Sequence, residues 1–142
     1  MLRVVLDTDV VLAAMRSPSG ASAALLRAAY SGRLSVLASA ALVFEYEAVL
    51  TRPEHHGAAG LSQEDARSFV DGVAGLARRV HTHFKWRPQV RDPNDEMVLE
   101  AAINGAAELL VTYNVRDYGL ASAKFGFGVL SPGPTLLRVR YG

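Results

Sequence analysis

The chain has 142 residues, half of them apolar, with 15 Lys and Arg against 14 Asp and Glu for a net charge of +1. That length supports one domain over residues 1–142 with a real core, and the composition argues against disorder. The absence of cysteine excludes a disulfide framework and thiolate metal sites.

The chain opens on a buried strand, Arg3-Val4-Val5-Leu6, that stops at Asp7. The apolar run after Thr8 and Asp9 is rich in Ala and Met and predicts a helical turn. It is too short, and too interrupted by Asp7 and Asp9, for a membrane span. It does not look like a cleaved signal either, so a cytoplasmic protein away from membranes is expected. Ser17-Pro18-Ser19-Gly20 is a break, and ASAALLRAAYSG has helical periodicity with Gly32 as its stop. A second apolar strand covers 34–37. Ser39 then caps a helix through Leu50 that Arg52-Pro53 ends.

Residues 54–60 read as a flexible loop, and Ser62 opens a helix through Ala77 by a capping sequence. Residues 79–84 alternate and predict a third strand, followed by the irregular WRPQVRDP. A helix near 94–105, a strand at 109–112, a turn or short helix at 115–122 and a last strand at 127–130 complete the pattern. The tail SPGPTLLRVRYG is expected to be partly helical at best. Strands alternating with helices predict a three-layer α/β domain with a mainly parallel sheet.

In such sheets the ligand crevice lies beyond the carboxyl ends of the strands, where strand order reverses. Asp7 ends the first strand, Thr112 and Asn114 end the strand at 109–112, and Asp95 lies in the first turn of a helix. Glu45 sits mid-helix among apolar neighbours, where an acid needs a partner, whereas Glu47 suits solvent. Carboxylates brought together raise each other's pKa, and a divalent cation removes that conflict. Mg2+ or Mn2+, hard ions that take oxygen ligands, fit such a donor set. The candidate ligands are Asp7, Glu45, Asp95 and Asp117, with Asn114 as a neutral ligand. Asp9, Asp92 and Thr112 are placed behind them, and Arg87, Arg91 and Arg116 are candidate phosphate contacts. Each acid also has a structural reading as a turn former, helix-terminus charge or cap. The four histidines form no zinc-like set.

The ordered motifs LDTDVVL, FEYEAVL, RDPNDEMVLEAA and LLVTYNVRDYG resemble the PIN-domain family, especially the VapC-like toxins of toxin–antitoxin pairs. The resemblance covers nearly the whole chain. It implies a Rossmann-like parallel sheet and a metal-dependent ribonuclease acting on RNA. It places catalytic acids at Asp7, Glu45 and Asp95, and around Asn114 and Asp117. It also implies a homodimer and a small antitoxin partner. Two positions depart from the family pattern: Asp9 where Asn or Ser is usual, and Asn114 where Asp is common. One alternative is a catalytically weak PIN-fold module that binds RNA or protein. Another is a haloacid-dehalogenase-type phosphatase, suggested by Asp7-Thr8-Asp9-Val10-Val11, but its remaining motifs would stand in the wrong order.

Overall fold

A computed structural model describes residues 1–82 and 93–141 of the chain. Five strands form one sheet: β1 (Arg3–Leu6), β2 (Ser35–Ala38), β3 (Arg78–Arg79), β4 (Leu109–Val111) and β5 (Gly128–Leu130). All neighbours are parallel in the order β3-β2-β1-β4-β5, with Val4 opposite Val36 and Val5 opposite Leu110. The chain moves outward from β1 through β2 to β3, then crosses back to lay β4 on the other side of β1. The reversal therefore falls between β1 and β4. A parallel sheet covered on its faces needs strands apolar on both sides, and Val4, Val5, Leu6, Leu110 and Val111 are fully buried.

Helices flank this sheet. They are α1 (Thr8–Arg16), α2 (Ala21–Tyr30), α3 (Ala40–Leu50), α4 (Pro53–Ala58), α5 (Gln63–Leu76), α6 (Pro93–Asn104), α7 (Gly119–Phe125) and α8 (Pro132–Tyr141). Helix α3 starts where the Ser39 hydroxyl accepts from the Leu42 amide, and it buries Leu42, Tyr46 and Leu50 at four-residue spacing. A reciprocal pair of bonds between Ser62 and Asp65 opens α5. Helix α6 packs on β1, β2 and β4 through buried Val98, Leu99, Ala101 and Ala102. Gly32, at φ +77°, takes the left-handed turn just after α2.

Three expectations need correction. Residues 54–60 are not simply a loop, because Pro53 begins α4. A fixed φ and a missing N–H suit the first helical position, so the proline that ends one helix starts the next. The tail likewise forms a ten-residue helix, α8, with Pro132 and Pro134 in its first turn, where the lost donors matter least. The third strand lies earlier than predicted, at Arg78–Arg79 against Leu37 and Ala38, while 83–84 lie outside the described residues. Among the described residues, no helix is long and apolar enough to cross a membrane.

Candidate active site

The reversal between β1 and β4 puts the ends of those two strands side by side. The Asp7 amide donates to the Val111 carbonyl at 2.9 Å, which continues the β1–β4 ladder by one residue and carries the Asp7 side chain to the rim. Asp7 is also the N-cap of α1, and its Oδ1 accepts from the Thr8 amide at 2.7 Å. Its other oxygen, Oδ2, accepts from the Thr112 hydroxyl at 2.8 Å and from the Tyr118 hydroxyl at 3.3 Å. The Thr112 hydroxyl accepts in turn from the Asn114 amide at 2.9 Å, so it is oriented as a donor towards Asp7.

Asp9 stands two residues further on, in the first turn of α1. Its Oδ2 accepts from the Tyr113 amide at 3.0 Å and from the Asn114 side-chain Nδ2 at 3.2 Å. Its Oδ1 is buried and has no hydrogen-bond partner. Asp7, Thr8, Asp9, Leu12, Glu45, Val49, Asp95 and Asn114 line one cavity of about 220 Å³. Four acids from β1, α1, α3 and α6 thus face a single space at the carboxyl edge of the sheet.

Burial pushes the Asp7 carboxyl above its usual range, although the bonds from Thr112, Thr8 and Tyr118 oppose the shift and the Asp117 charge adds to it. Asp9 rises to about 6, first because burial penalises its charge and then because Asp7 lies beside it. The Tyr118 phenol is pushed far up by burial and then by the charges of Asp7 and Asp95, so it stays protonated and able to donate. Two neighbouring carboxylates that resist ionisation, one with an orphaned buried oxygen, are what a divalent cation would relieve.

The donor set fits a hard, hydrated ion. Among the described residues, no three acidic or histidine side chains stand close enough to grip one ion directly. Mg2+ commonly keeps several waters and takes only one or two carboxylates, so an acid-lined cavity with spare volume suits it better than a closed cage. Asp7, Asp9, Glu45 and Asp95 are the residues that would hold it.

The other predicted site residues divide clearly. Asn114 lines the cavity but spends its amide N–H on Asp9, which makes it an orienting group for that acid. Asp117 and Arg116 are exposed, in the 3-10 turn Val115–Tyr118, and neither lines the cavity. The Asp117 charge nevertheless reaches Asp7. Arg87, Arg91 and Asp92 lie outside the described residues. Two tyrosines escaped the sequence reading. Tyr118 is described above. Tyr46 in α3 is fully buried and donates its hydroxyl to the Leu6 carbonyl, one residue before Asp7. A tyrosine within an apolar stretch signals a phenol that must find a partner when buried.

Together the fold and this crevice define a Rossmann-like α/β domain with an acid site where the sheet reverses. The chain belongs to the PIN-domain family, which matches residues 3–116. PIN domains are generally nucleases that use divalent metal ions. In fold the chain is similar to a chain in the crystal structure of VapBC2 from Rickettsia felis bound to a promoter DNA fragment. The TM-score is 0.60 at 13% identity, covering 92% of this chain and 98% of that one. No curated protein sequence matches it.

Proposed function

We propose that the protein is a metal-dependent ribonuclease, the toxin of a type II toxin–antitoxin pair, hydrolysing phosphodiester bonds of RNA. The observation that carries this reading is the convergence of Asp7, Asp9, Glu45 and Asp95 on one cavity at the reversal of a parallel sheet. A Mg2+ or Mn2+ ion held there would neutralise charge on a phosphoryl oxygen and lower the pKa of a bound water. The chain's own contribution is placement. Thr112 and Tyr118 fix one oxygen of Asp7 by donating to it, leaving its orientation little freedom. Tyr113 and Asn114 do the same for Asp9. Arg116, exposed after β4, is an RNA contact in this reading, and Arg87 and Arg91 are assigned the same role. The family resemblance and the likeness to a chain of the Rickettsia VapBC2 complex support a small antitoxin as partner and a homodimer as the assembled form.

The test uses a single-stranded RNA, Mn2+ or Mg2+, and a chelator control, with Glu45→Gln as the variant. Glu45 lines the cavity without capping a helix, whereas Asp7 caps α1 and its loss would confound folding. Cleavage is expected with metal, none with chelator, and a loss of at least about a hundredfold in Glu45→Gln with an unchanged melting temperature. Full cleavage by the variant would refute the site. The neutral Asn114, whose side-chain N–H goes to Asp9 where the family commonly has an acid, favours a second reading, a PIN-fold module that binds RNA without cutting it. That reading predicts no Mn2+ binding by calorimetry at millimolar metal.

A further inference from the structure

Beyond the end of β4, successive side chains turn to opposite sides. Thr112 points inward, fully buried, and donates to Asp7. Tyr113, the next residue, points outward and is 51% exposed. It is nevertheless held at both ends. Its backbone amide donates to Asp9 Oδ2 at 3.0 Å. Its hydroxyl is hydrogen-bonded at 2.7 Å to Oγ of Ser22, a buried residue in the first turn of α2. With both polar ends committed, what Tyr113 offers to solvent is its ring. We infer that this ring is a stacking platform for one unpaired base of a single-stranded RNA, which it holds beside the acid cavity. This assignment rests on the RNA-directed reading of the same site.

Three observations separate a platform from an aromatic that merely ties β4 to α2. First, the ring belongs to a residue bonded directly to Asp9, one of the acids lining the cavity, so a base stacked on it brings its own strand to the rim where those acids stand. Second, the ring is fixed although it is open. Tyr30 on α2 and Tyr141 on α8 are both 82% exposed, and neither hydroxyl is hydrogen-bonded among the described residues. A ring already held in place costs less to order when a ligand arrives. Third, an acid-lined cavity repels phosphate until a cation is bound, so a strand arriving without one needs an uncharged contact nearby. Stacking supplies that contact for any base, because every base has a π-face. Arg116, exposed three residues further on, can meet an adjacent phosphate.

Binding of an end-labelled single-stranded RNA is measured by fluorescence anisotropy in chelator, where metal-dependent cleavage cannot interfere. The proteins are wild type, Tyr113→Leu, Tyr113→Phe and Tyr30→Leu. Tyr113→Leu is expected to raise the RNA dissociation constant about tenfold. Tyr113→Phe loses the bond to Ser22 but keeps the ring, so it should lose clearly less, and Tyr30→Leu should match wild type. An unchanged constant in Tyr113→Leu overturns the platform. Equal losses in Tyr113→Leu and Tyr113→Phe also overturn it, because they assign the effect to the tie with Ser22.

A second measurement perturbs the RNA instead of the protein. One abasic position is moved along the strand. At one position the wild type should lose about as much affinity as Tyr113→Leu does, and that same gap should matter little to Tyr113→Leu itself. A scan with no such position, or a gap that weakens both proteins equally, overturns the platform. If RNA binds with the expected pattern but is not cut in Mn2+, the nuclease reading fails and the platform stands. Mn2+-dependent cleavage with an unchanged KM in Tyr113→Leu has the reverse meaning. Wild-type protein that binds no RNA, with or without Mn2+, overturns both.

Discussion

Asp9→Asn should make the metal-free protein more stable at neutral pH, and the size of the gain follows from the geometry. Asp9 is a partly buried carboxylate beside Asp7 with one oxygen lacking any partner. Its pKa rises from 3.8 to about 6, so folding at pH 7.5 works against an ionised group that prefers its proton. Each pKa unit corresponds to about 1.4 kcal/mol, and the side chain is exposed enough that solvent screening roughly halves the total, leaving ~1–2 kcal/mol. Asparagine retains an oxygen to accept from Tyr113 and Asn114 while removing the charge. In a domain of this size the gain appears as a rise of roughly 3–6 °C in melting temperature. A raised carboxylate pKa means that the native state holds its proton more tightly than the unfolded chain does. Asp9 therefore costs nothing below about pH 4 and progressively more as pH rises through 6. The assay is differential scanning calorimetry of both proteins in chelator from pH 4 to 7.5. The difference between them should vanish at the acid end. A destabilised Asp9→Asn, or a gain that does not depend on pH, would refute the account of Asp9 as a charge awaiting a cation.

Metal affinity should carry the opposite pH dependence. As pH falls through about 6, Asp9 takes up a proton and competes with the ion, and the raised Asp7 carboxyl adds to that competition, so the Mn2+ dissociation constant measured by calorimetry should rise. Asp117→Asn should alter that constant far less than Glu45→Gln, because Asp117 is exposed and outside the cavity. An equal loss in the two variants would put Asp117 back among the ligands. Gly105→Ala should cost about 1–3 kcal/mol in urea unfolding. The added Cβ would meet the Ala101 carbonyl oxygen and Val80 Cγ2 at 2.9 Å each, and one of those is backbone that cannot yield cheaply.

The parts of the fold that read correctly from the chain were those where one physical signal acts alone. Apolar runs gave β1, β2 and β4, and Ser39 and Ser62 gave the starts of α3 and α5. Where a residue has two opposed uses, the reading failed. Pro53 and Pro132 break a helix they interrupt but favour one they begin, so α4 reads as a loop and α8 as partly helical at best. The acids divide in the same way. An acid closing an apolar strand has few reasons to exist besides chemistry, so Asp7 stood out. Glu45 stood out because the positions around it on α3 are apolar. Asp117 stood out for its place in a motif, yet the turn that carries it leaves it on the surface. Asp9 was placed behind the ligands because only coordinates show that its second oxygen has no partner. Tyr46 and Tyr118 were invisible for a different reason. In sequence, an aromatic residue among apolar ones reads as filler, and where its hydroxyl points depends on residues 40 and 111 positions away.

The same separations bear on synthesis. A ribosome delivers Asp7 first, the Thr112 hydroxyl that orients it follows 105 residues later, and β4 must emerge before β1 has a neighbour on that side. For a member of a family whose domains are generally nucleases, this order acts as a built-in delay. A chain that has not yet reached β4 carries the acids without the architecture that aims them, so the site is assembled only after Thr112 has emerged.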